Sequence, residues 1–241
     1  MYNDIAEKIY TKVDLENDDK ACHFKNFIKE PEKLLTWQDV EDCINNPNFY
    51  EFELIDHDNN KVMIPEHNKA WNYRKPVQDK EFIFNHVNHG HTIVITNYGF
   101  RNQYTNNLLK TFEEMFDVHA AMHVYAGLQG SRSFTIHDDY PCNFIIQIEG
   151  KTRWQIFENR ISGLFKTGRM NGIVNTSVLR PAIDVVLEPG DALYIPSRAY
   201  HVAEPTESRL SISIPCWHRL TTDSPNSSVD RNNYRILKNG T

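Results

Sequence analysis

Two short blocks, far apart in the sequence, restrict the possible folds of this chain more than any other feature. The first is His137-Asp138-Asp139, and the second is His201, which follows the stretch 189–200. Residues i and i+2 of a strand lie on the same side, so His137 and Asp139 share one side while Asp138 points away. Two imidazoles and one carboxylate can cap one face of an iron(II) ion and leave the opposite face open. The pattern therefore predicts that the fold brings the two blocks onto partner strands.

The context of the two blocks is more specific than the motif itself. With 11 histidines and 32 acidic residues in 241, about one or two His-x-acid matches are expected by chance, so the bare motif is weak. The first block, however, is followed by two apolar strand runs, within 143–154, that fold about Glu149-Gly150. The second follows a turn at 188–191 and a buried-strand run at 192–196. These surroundings favour metal ligands over isolated surface or core histidines.

At these residues the chain resembles the JmjC-type 2-oxoglutarate oxygenases of the cupin superfamily, particularly the ribosomal-oxygenase branch. The order of the preceding segments 91–97, 111–117 and 123–126 also fits that branch, and the similarity runs from about Leu35 to about His218. The resemblance implies a mainly β fold, a double-stranded β-helix of the jelly-roll or cupin type with flanking N-terminal helices. It also implies iron(II), 2-oxoglutarate as co-substrate and a hydroxylation reaction.

The composition predicts an ordinary globular protein. The net charge is −6 and the isoelectric point is near 6.0, which argues against nucleic acid as a partner. We find neither an apolar run of about 18 residues nor a signal-peptide layout, which argues against a membrane. The four cysteines form no Cys-x-x-Cys pair, so reduced thiols and a cytoplasmic location are expected. The oligomeric state stays open.

The organisation along the chain predicts one large domain with two flanking segments. Residues 1–33 are expected to form an N-terminal arm, residues 34–220 the JmjC or cupin-like oxygenase domain, and residues 221–241 a polar C-terminal tail. Thr36 and Asp39 form the pattern of a capping box at the start of a helix. The cluster 86–91 contains three histidines, but its glycine turn and its lack of a local cysteine or acid favour structural roles over a second metal site.

The predicted co-substrate pocket departs from the family pattern. The family resemblance implies a lysine for the distal carboxylate of 2-oxoglutarate two residues after the glycine turn, and this chain has Thr152 there. His123 likewise replaces the asparagine expected two residues before the family tyrosine. Tyr125 and Asn143 remain as the matching polar residues. A threonine cannot neutralise a carboxylate, so the pocket is either rebuilt or lost.

The last strand offers a replacement cation. Arg209, Ser211 and Ser213 fall on one face of the segment 209–214, and a guanidinium suits a carboxylate. The alternative is a surface ion pair of Arg209 with Glu204 or Glu207. The sequence does not decide between the two.

Three functions follow, and they differ in class. The first is an iron(II)- and 2-oxoglutarate-dependent dioxygenase that hydroxylates a protein side chain, a peptide, an amino acid or another small molecule. The second is a cupin-fold metalloenzyme that does not use 2-oxoglutarate, which the departures at Thr152 and His123 keep open. The third is a non-catalytic metal-binding cupin module.

Overall fold

The computed structural model describes residues 5, 7–9, 11–13, 20–67, 76–116, 118–131, 134–160 and 176–218. The α-helices of the N-terminal half include α1 (Trp37–Asn45), α2 (Lys80–Asn88) and α3 (Gln103–Phe116). The strands are β1 (Cys22–Phe24), β2 (Phe52–Ile55), β3 (Lys61–Val62), β4 (Glu66–His67), β5 (Val77–Gln78), β6 (Thr92–Ile95), β7 (Val118–Ala120), β8 (His123–Gly127), β9 (Cys142–Glu149), β10 (Thr152–Arg160), β11 (Pro181–Leu187), β12 (Ala192–Ile195), β13 (Ala199–Pro205) and β14 (Arg209–His218).

Two antiparallel sheets carry the architecture. The larger one has the strand order β1-β12-β9-β14-β8-β6-β2-β3, with β7 paired to β14. The smaller one has the order β11-β10-β13. The chain passes from the large sheet to the small one at the turn between β9 and β10, and returns to the large one at β12 and again at β14. This alternation between two facing sheets confirms the predicted double-stranded β-helix with N-terminal helices.

The large sheet is buried on both faces. One face packs against the helices, where Phe112 contacts Phe144 with ring centroids 4.7 Å apart. The other face meets the small sheet through a second apolar cluster that includes Ile145, Trp154 and Ile156. Every residue of β9 from Cys142 to Ile148 is buried. Because both faces are covered, this strand reads as a nearly continuous apolar run and not as an alternating one.

The segment before the first helix extends the large sheet. Strand β1 pairs with β12, and His23 Nε2 lies 3.0 Å from Asp191 Oδ2. Asp191 Oδ1 also accepts a hydrogen bond from the Asn26 backbone N–H at 3.0 Å. Phe24, close by, is buried in the helix-side core. Part of the predicted arm is therefore an edge strand of the same sheet that carries β12.

The helices show which local signals decide their ends. The capping box predicted at Thr36 and Asp39 is present at the start of α1. Helix α2, which the sequence does not predict, begins after Asp79, whose side chain accepts a hydrogen bond from the Phe82 N–H at 2.9 Å. In the part of the chain that the structure describes, no helix is long and apolar enough to cross a membrane.

The turn between β9 and β10 depends on Gly150. Its φ is +69°, and a Cβ there would meet the carbonyl oxygen of Ser208. We expect Gly150→Ala to lower the free energy of unfolding by the strain of a left-handed alanine, about 1–2 kcal/mol, plus about 1–3 kcal/mol of overpacking. Urea unfolding of the parent and of the variant measures the total loss. Gly130→Ala is the matched control, because its φ is +86° and, apart from its two chain neighbours, no atom of the described residues lies within 4 Å of its added Cβ. Equal losses in the two variants would contradict the close approach at Gly150.

Candidate metal centre

His137, Asp139 and His201 converge at one point between the two sheets. Asp139 Oδ2 lies 4.0 Å from His137 Nε2 and 3.7 Å from His201 Nε2. One ligand atom from each residue lies within 4.8 Å of the others, and no other group of three His, Cys, Asp or Glu side chains does so among the described residues. The atoms are too far apart to hydrogen-bond to one another, so their lone pairs can be directed at one ion.

Backbone hydrogen bonds hold the two ligand segments side by side. His137 and His201 form an isolated antiparallel bridge. The His137 N–H donates to the His201 carbonyl at 3.1 Å, and the His201 N–H donates to the His137 carbonyl at 2.8 Å. The Arg198 N–H donates to the Asp139 carbonyl at 2.8 Å, and Ser197 Oγ donates to the Tyr140 carbonyl at 2.6 Å. The predicted meeting of the two blocks on partner strands is thus observed.

The two imidazoles are set in the tautomer that metal ligation needs. His137 Nδ1 lies 2.7 Å from the Thr135 carbonyl oxygen, and His201 Nδ1 lies 2.9 Å from the Ala199 carbonyl oxygen. A carbonyl oxygen only accepts, so Nδ1 carries the proton in each ring and the lone pair is on Nε2. The Nε2 atoms are the ones that face Asp139. Carbonyl partners on the far nitrogen are the usual support of metal-binding histidines.

Asp138 points to the opposite side, as the alternation predicts. Its Oδ2 lies 3.1 Å from Arg198 Nη1, and the two side chains are 2% and 5% exposed. Burial raises the pKa of Asp138, and the nearby Arg198 guanidinium opposes that rise. Arg198 has a φ of +64°, a left-handed conformation that few residues with a side chain adopt.

An inner cavity of about 30 Å³ adjoins the three candidate ligands. Its lining combines aromatic, apolar and polar side chains from both sheets, and the residues besides the three ligands are Tyr125, Phe134, Asn143, Ile145, Trp154, Ala203, Arg209, Ser211 and Ser213. Four of the five predicted co-substrate residues line it. The fifth, Thr152, is buried but does not line the cavity, whereas Trp154, two residues further along β10, does.

Apart from the candidate ligands, Arg209 is the charged residue among the described residues that line this cavity. It is 1% exposed, and within the described part of the chain neither Nε nor Nη2 has a hydrogen-bond partner. Burial lowers the pKa of Arg209 to about 10, while Tyr125 opposes the shift, so the guanidinium stays charged at neutral pH. The alternative of a surface ion pair with Glu204 or Glu207 is wrong, since the side chain is buried. Glu204 instead lies 3.2 Å from Arg153.

The neighbours of Arg209 are held in a polar row along β14 and β9. Ser211 Oγ donates to Gln147 Oε1 at 3.2 Å, and Ser213 Oγ donates to Asn143 Oδ1 at 2.9 Å. The Ser213 bond leaves the amide nitrogen of Asn143, a donor, for other groups. Gln147 was not predicted. The pairing of β14 with β9 places Gln147 directly opposite Ser211, so the register of these two strands identifies it.

The two basic residues that flank Thr152 face away from the cavity. Lys151 Nζ lies 3.2 Å from Glu188, and Arg153 lies 2.6 Å from Asp184. This placement agrees with the alternation along β10. Neither cation reaches the cavity that Arg209 lines.

Two aromatic residues beside the ligands were also missed. Trp154 stacks on His201 with ring centroids 6.1 Å apart and an interplanar angle of 28°. Phe134 meets His137 edge-on at 5.6 Å. The alternation of β10 indicates an inward Trp154, because it shares the face of Thr152, but nothing in the sequence indicates Phe134. Both rings shield the imidazoles from water.

A wider outer space leads from Asp139 to the surface. An outer cavity of about 220 Å³ is bordered by Asp139 and His123 and extends to Glu53 and Thr96. A surface groove of about 790 Å³ continues from these last two residues towards Glu66. No lysine or arginine is among the described residues that line the cavity or the groove.

The second histidine group does not form a comparable site. His91 packs between His57 and His86, with ring centroids 5.3 Å and 4.8 Å away. Burial and the two neighbouring imidazoles lower the pKa of His91. Within the described residues these rings do not bring three ligand atoms together as the first group does. The preference for a structural role is unchanged.

Comparison with curated proteins finds relatives over less than half of the chain. Over 116 residues the chain is 31% identical to the bifunctional lysine-specific demethylase and histidyl-hydroxylase NO66 of Drosophila mojavensis. The aligned region covers 46% of this chain and 13% of that protein. Over 118 residues the chain is 29% identical to ribosomal oxygenase 1 of Danio rerio, and this aligned region covers 46% of this chain and 21% of that protein. The chain therefore spans about a fifth or less of the length of these relatives.

Among solved structures, the chain is similar to the ribosomal oxygenase YcfD of Escherichia coli. The complex of YcfD with cobalt and 2-oxoglutarate matches with a TM-score of 0.56 and 14% identity, over 92% of this chain and 62% of that chain. The complex of YcfD with cobalt and succinic acid matches with a TM-score of 0.55 and 16% identity, over 83% of this chain and 48% of that chain. At such identities the likeness shows the fold.

The sequence profile described as the JmjC domain matches residues 96–223, more than half of the 241 residues. The matched region contains both blocks that carry the candidate ligands, and also the cavity residues of β8, β9, β10 and β14. The fold and the position of the site agree with that match. The chain is therefore a member of the JmjC domain family.

Proposed function

We propose that this chain is an iron(II)- and 2-oxoglutarate-dependent dioxygenase that hydroxylates a side chain of a polypeptide. The observation that carries the proposal is the combination, in one cavity, of a two-histidine, one-carboxylate set with a buried guanidinium that has unpaired nitrogens. Iron(II) held by such a set, with 2-oxoglutarate and oxygen, supplies the insertion of one oxygen atom into a C–H bond. The names of the relatives and the ligands of the YcfD structures support the same chemistry.

The residues of the chain divide into three tasks in this proposal. His137, Asp139 and His201 hold the ion through Nε2, a carboxylate oxygen and Nε2. Arg209, helped by Ser211, binds the distal carboxylate of 2-oxoglutarate, because a buried guanidinium is stable only when an anion offsets its lost hydration. Trp154 excludes water from this interior.

Tyr125 and Asn143 complete the proposed pocket as polar lining. Both border the inner and the outer cavity, so they lie where the co-substrate and the prime substrate would meet. Thr152 was expected in the pocket but is not part of its lining. With Arg209 on β14, the charge that the family places on β10 is supplied from the facing sheet. This placement supports the proposal that Arg209 replaces the lysine that is absent at Thr152.

A polypeptide substrate is favoured by the outer cavity and the groove that continues from it. Their combined length reaches from Asp139 to the surface, which suits an extended chain better than a small metabolite. Glu51, Glu53 and Glu66 lie along the groove, and Glu53 pairs with Lys61 at 2.7 Å. Acidic lining suits a segment that carries lysine or arginine. The relatives named ribosomal oxygenase support a protein substrate as well.

The cytoplasm remains the proposed location. All four cysteines are free thiols, and three of them are buried. Free thiols fit a reducing compartment.

We expect the purified chain, given iron(II), oxygen and 2-oxoglutarate, to form succinate slowly without a prime substrate. Mass spectrometry of succinate measures this turnover. An anaerobic titration of the iron form with 2-oxoglutarate should also produce a visible charge-transfer band. Succinate formation should disappear in His201→Ala.

If neither succinate nor the band appears in a protein that binds iron(II), the chain is a cupin-fold metalloenzyme that does not use 2-oxoglutarate or a binding module. If the chain binds no divalent metal at all, all three functions are excluded, because the binding module would hold a metal as well. The succinate and charge-transfer measurements therefore separate the dioxygenase from the other two functions.

A further inference from the structure

The two ligand segments are joined by one buried pair of charges that does not face the metal site. Asp138 lies between the ligands His137 and Asp139, and Arg198 precedes the ligand His201 by three residues. Arg198 Nη1 is 3.1 Å from Asp138 Oδ2, and the side chains are 5% and 2% exposed. Asp138 Oδ2 has no aligned hydrogen bond, so this contact is held by charge. The pair therefore lies directly behind the site, where it links the two segments that supply it.

The backbone at Arg198 is in a conformation that glycine or asparagine would adopt at lower cost. Its φ is +64°, a left-handed conformation that is strained for an arginine. The same residue donates its N–H to the Asp139 carbonyl at 2.8 Å. The backbone of Arg198 thus contacts one ligand residue, and its side chain contacts the residue between the two ligands of the first block. A strained position that carries two such contacts points to a role beyond closing a turn.

The energetics of buried ion pairs separate positioning from stability. Replacing both members of such a pair is often neutral for stability, whereas removing one leaves a buried charge without its partner. The pair is therefore poorly explained as a source of stability alone. It joins two segments that also share the antiparallel bridge between His137 and His201 and the adjacent hydrogen bonds from Arg198 and Ser197.

We propose that Asp138 and Arg198 are positioning residues, which hold the His137–Asp139 segment against the His201 segment so that the three ligand atoms keep their spacing. This inference rests on the proposed function, because it assigns a metal to the three ligands. The residues contact neither the metal nor a substrate. They act through the backbone of the ligand segments.

The test uses the metal-free full chain and an anaerobic titration with cobalt(II), followed by its visible absorption. We expect Asp138→Asn and Arg198→Gln each to weaken cobalt binding by about 10- to 100-fold, the range seen when residues that support metal ligands are replaced. The absorption band of the cobalt form should also change shape, since the ligand geometry changes. Arg198→Lys keeps the charge and should recover much of the affinity.

The matched control is Arg153→Gln, which breaks an exposed arginine–aspartate pair with Asp184 on the small sheet. Its cobalt affinity and band should equal those of the parent. Urea unfolding of the metal-free variants reports any purely structural effect. If the single variants lose stability but bind cobalt(II) with the parent affinity and band, the positioning role is overturned.

The double variant Asp138→Asn/Arg198→Gln covers the case in which a single variant does not fold. It leaves no unpaired buried charge, so it should fold and still bind cobalt(II) more weakly than the parent. Parent-like binding by the double variant would overturn the inference. A parent chain that binds no cobalt(II) would overturn the proposed function and this inference with it, whereas a parent that binds and variants that do not differ would overturn only this inference.

Discussion

Replacing Asp139 and His201 together by alanine should abolish stoichiometric iron(II) binding. The change leaves only His137 of the three side chains whose ligand atoms lie within 4.8 Å of one another. A single imidazole does not hold the ion tightly, because the facial set needs all three donors. An anaerobic titration of the metal-free chain with iron(II) measures the stoichiometry, and we expect one ion per chain in the parent.

The matched control is Asp184→Ala/His119→Ala. It also removes one carboxylate and one imidazole, but from exposed positions outside the site. Iron binding should stay at one ion per chain. Stoichiometric binding that survives the loss of Asp139 and His201 would show that the ion is held elsewhere, and the assignment of the three ligands would be abandoned.

Replacing Arg209 by alanine should weaken 2-oxoglutarate binding by at least about tenfold, which corresponds to about 1.4 kcal/mol. The reason is that Arg209 is the charged residue of the inner cavity, apart from the candidate ligands, and two of its nitrogens have no partner. A charge-assisted hydrogen bond to a carboxylate contributes about 1.5–3 kcal/mol. Isothermal titration of the metal-loaded chain under anaerobic conditions measures the affinity.

Arg209→Met gives the same test without opening a cavity, since methionine fills much of the same space. Both variants should keep the parent affinity for iron(II). Lys151→Ala is the control, because Lys151 is partly exposed and its Nζ lies 3.2 Å from Glu188, away from the inner cavity. The hypothesis fails if Lys151→Ala weakens 2-oxoglutarate binding and Arg209→Ala does not, or if the Arg209 variants lose iron as well.

The sequence predicts the two-sheet core well, for a physical reason that β9 and β10 illustrate. The apolar run before Glu149-Gly150 is nearly continuous because both faces of β9 are covered, and Gly150 supplies the positive φ that the turn needs. The same alternation places Asp138 opposite His137 and Asp139. Local signals decide these features, so the sequence alone reveals them.

Other features depend on tertiary contacts that no local pattern reports. Helix α2 contains Phe82-Ile83-Phe84, residues that favour strands. The N-cap at Asp79 and the burial of Ile83 stabilise the helix instead. Strand β1 has only three residues and is defined by its partner β12. The sequence places Arg209 on the cavity side of β14, but only the packing shows that it is buried.

The partner of Asp138 is a further example. A carboxylate that alternates away from the metal into a core needs a partner, yet the sequence offers many arginines. Arg198 is identified by the turn at 196–199, whose left-handed residue directs the side chain back under the first block. Positive φ at a residue other than glycine or asparagine has no dependable sequence signal.

Under the proposed function, the buried guanidinium of Arg209 also connects the folding equilibrium of the chain to the supply of 2-oxoglutarate. A ligand that binds only the folded form stabilises it by RT ln(1 + [L]/Kd), which is about 2.7 kcal/mol at a hundred times Kd. In the absence of an anion the folded chain retains the cost of hiding a positive charge from water. We therefore expect the unfolded fraction, and with it the exposure of the chain to proteases, to rise when 2-oxoglutarate becomes scarce. The abundance of the protein would then follow the concentration of 2-oxoglutarate in the cell.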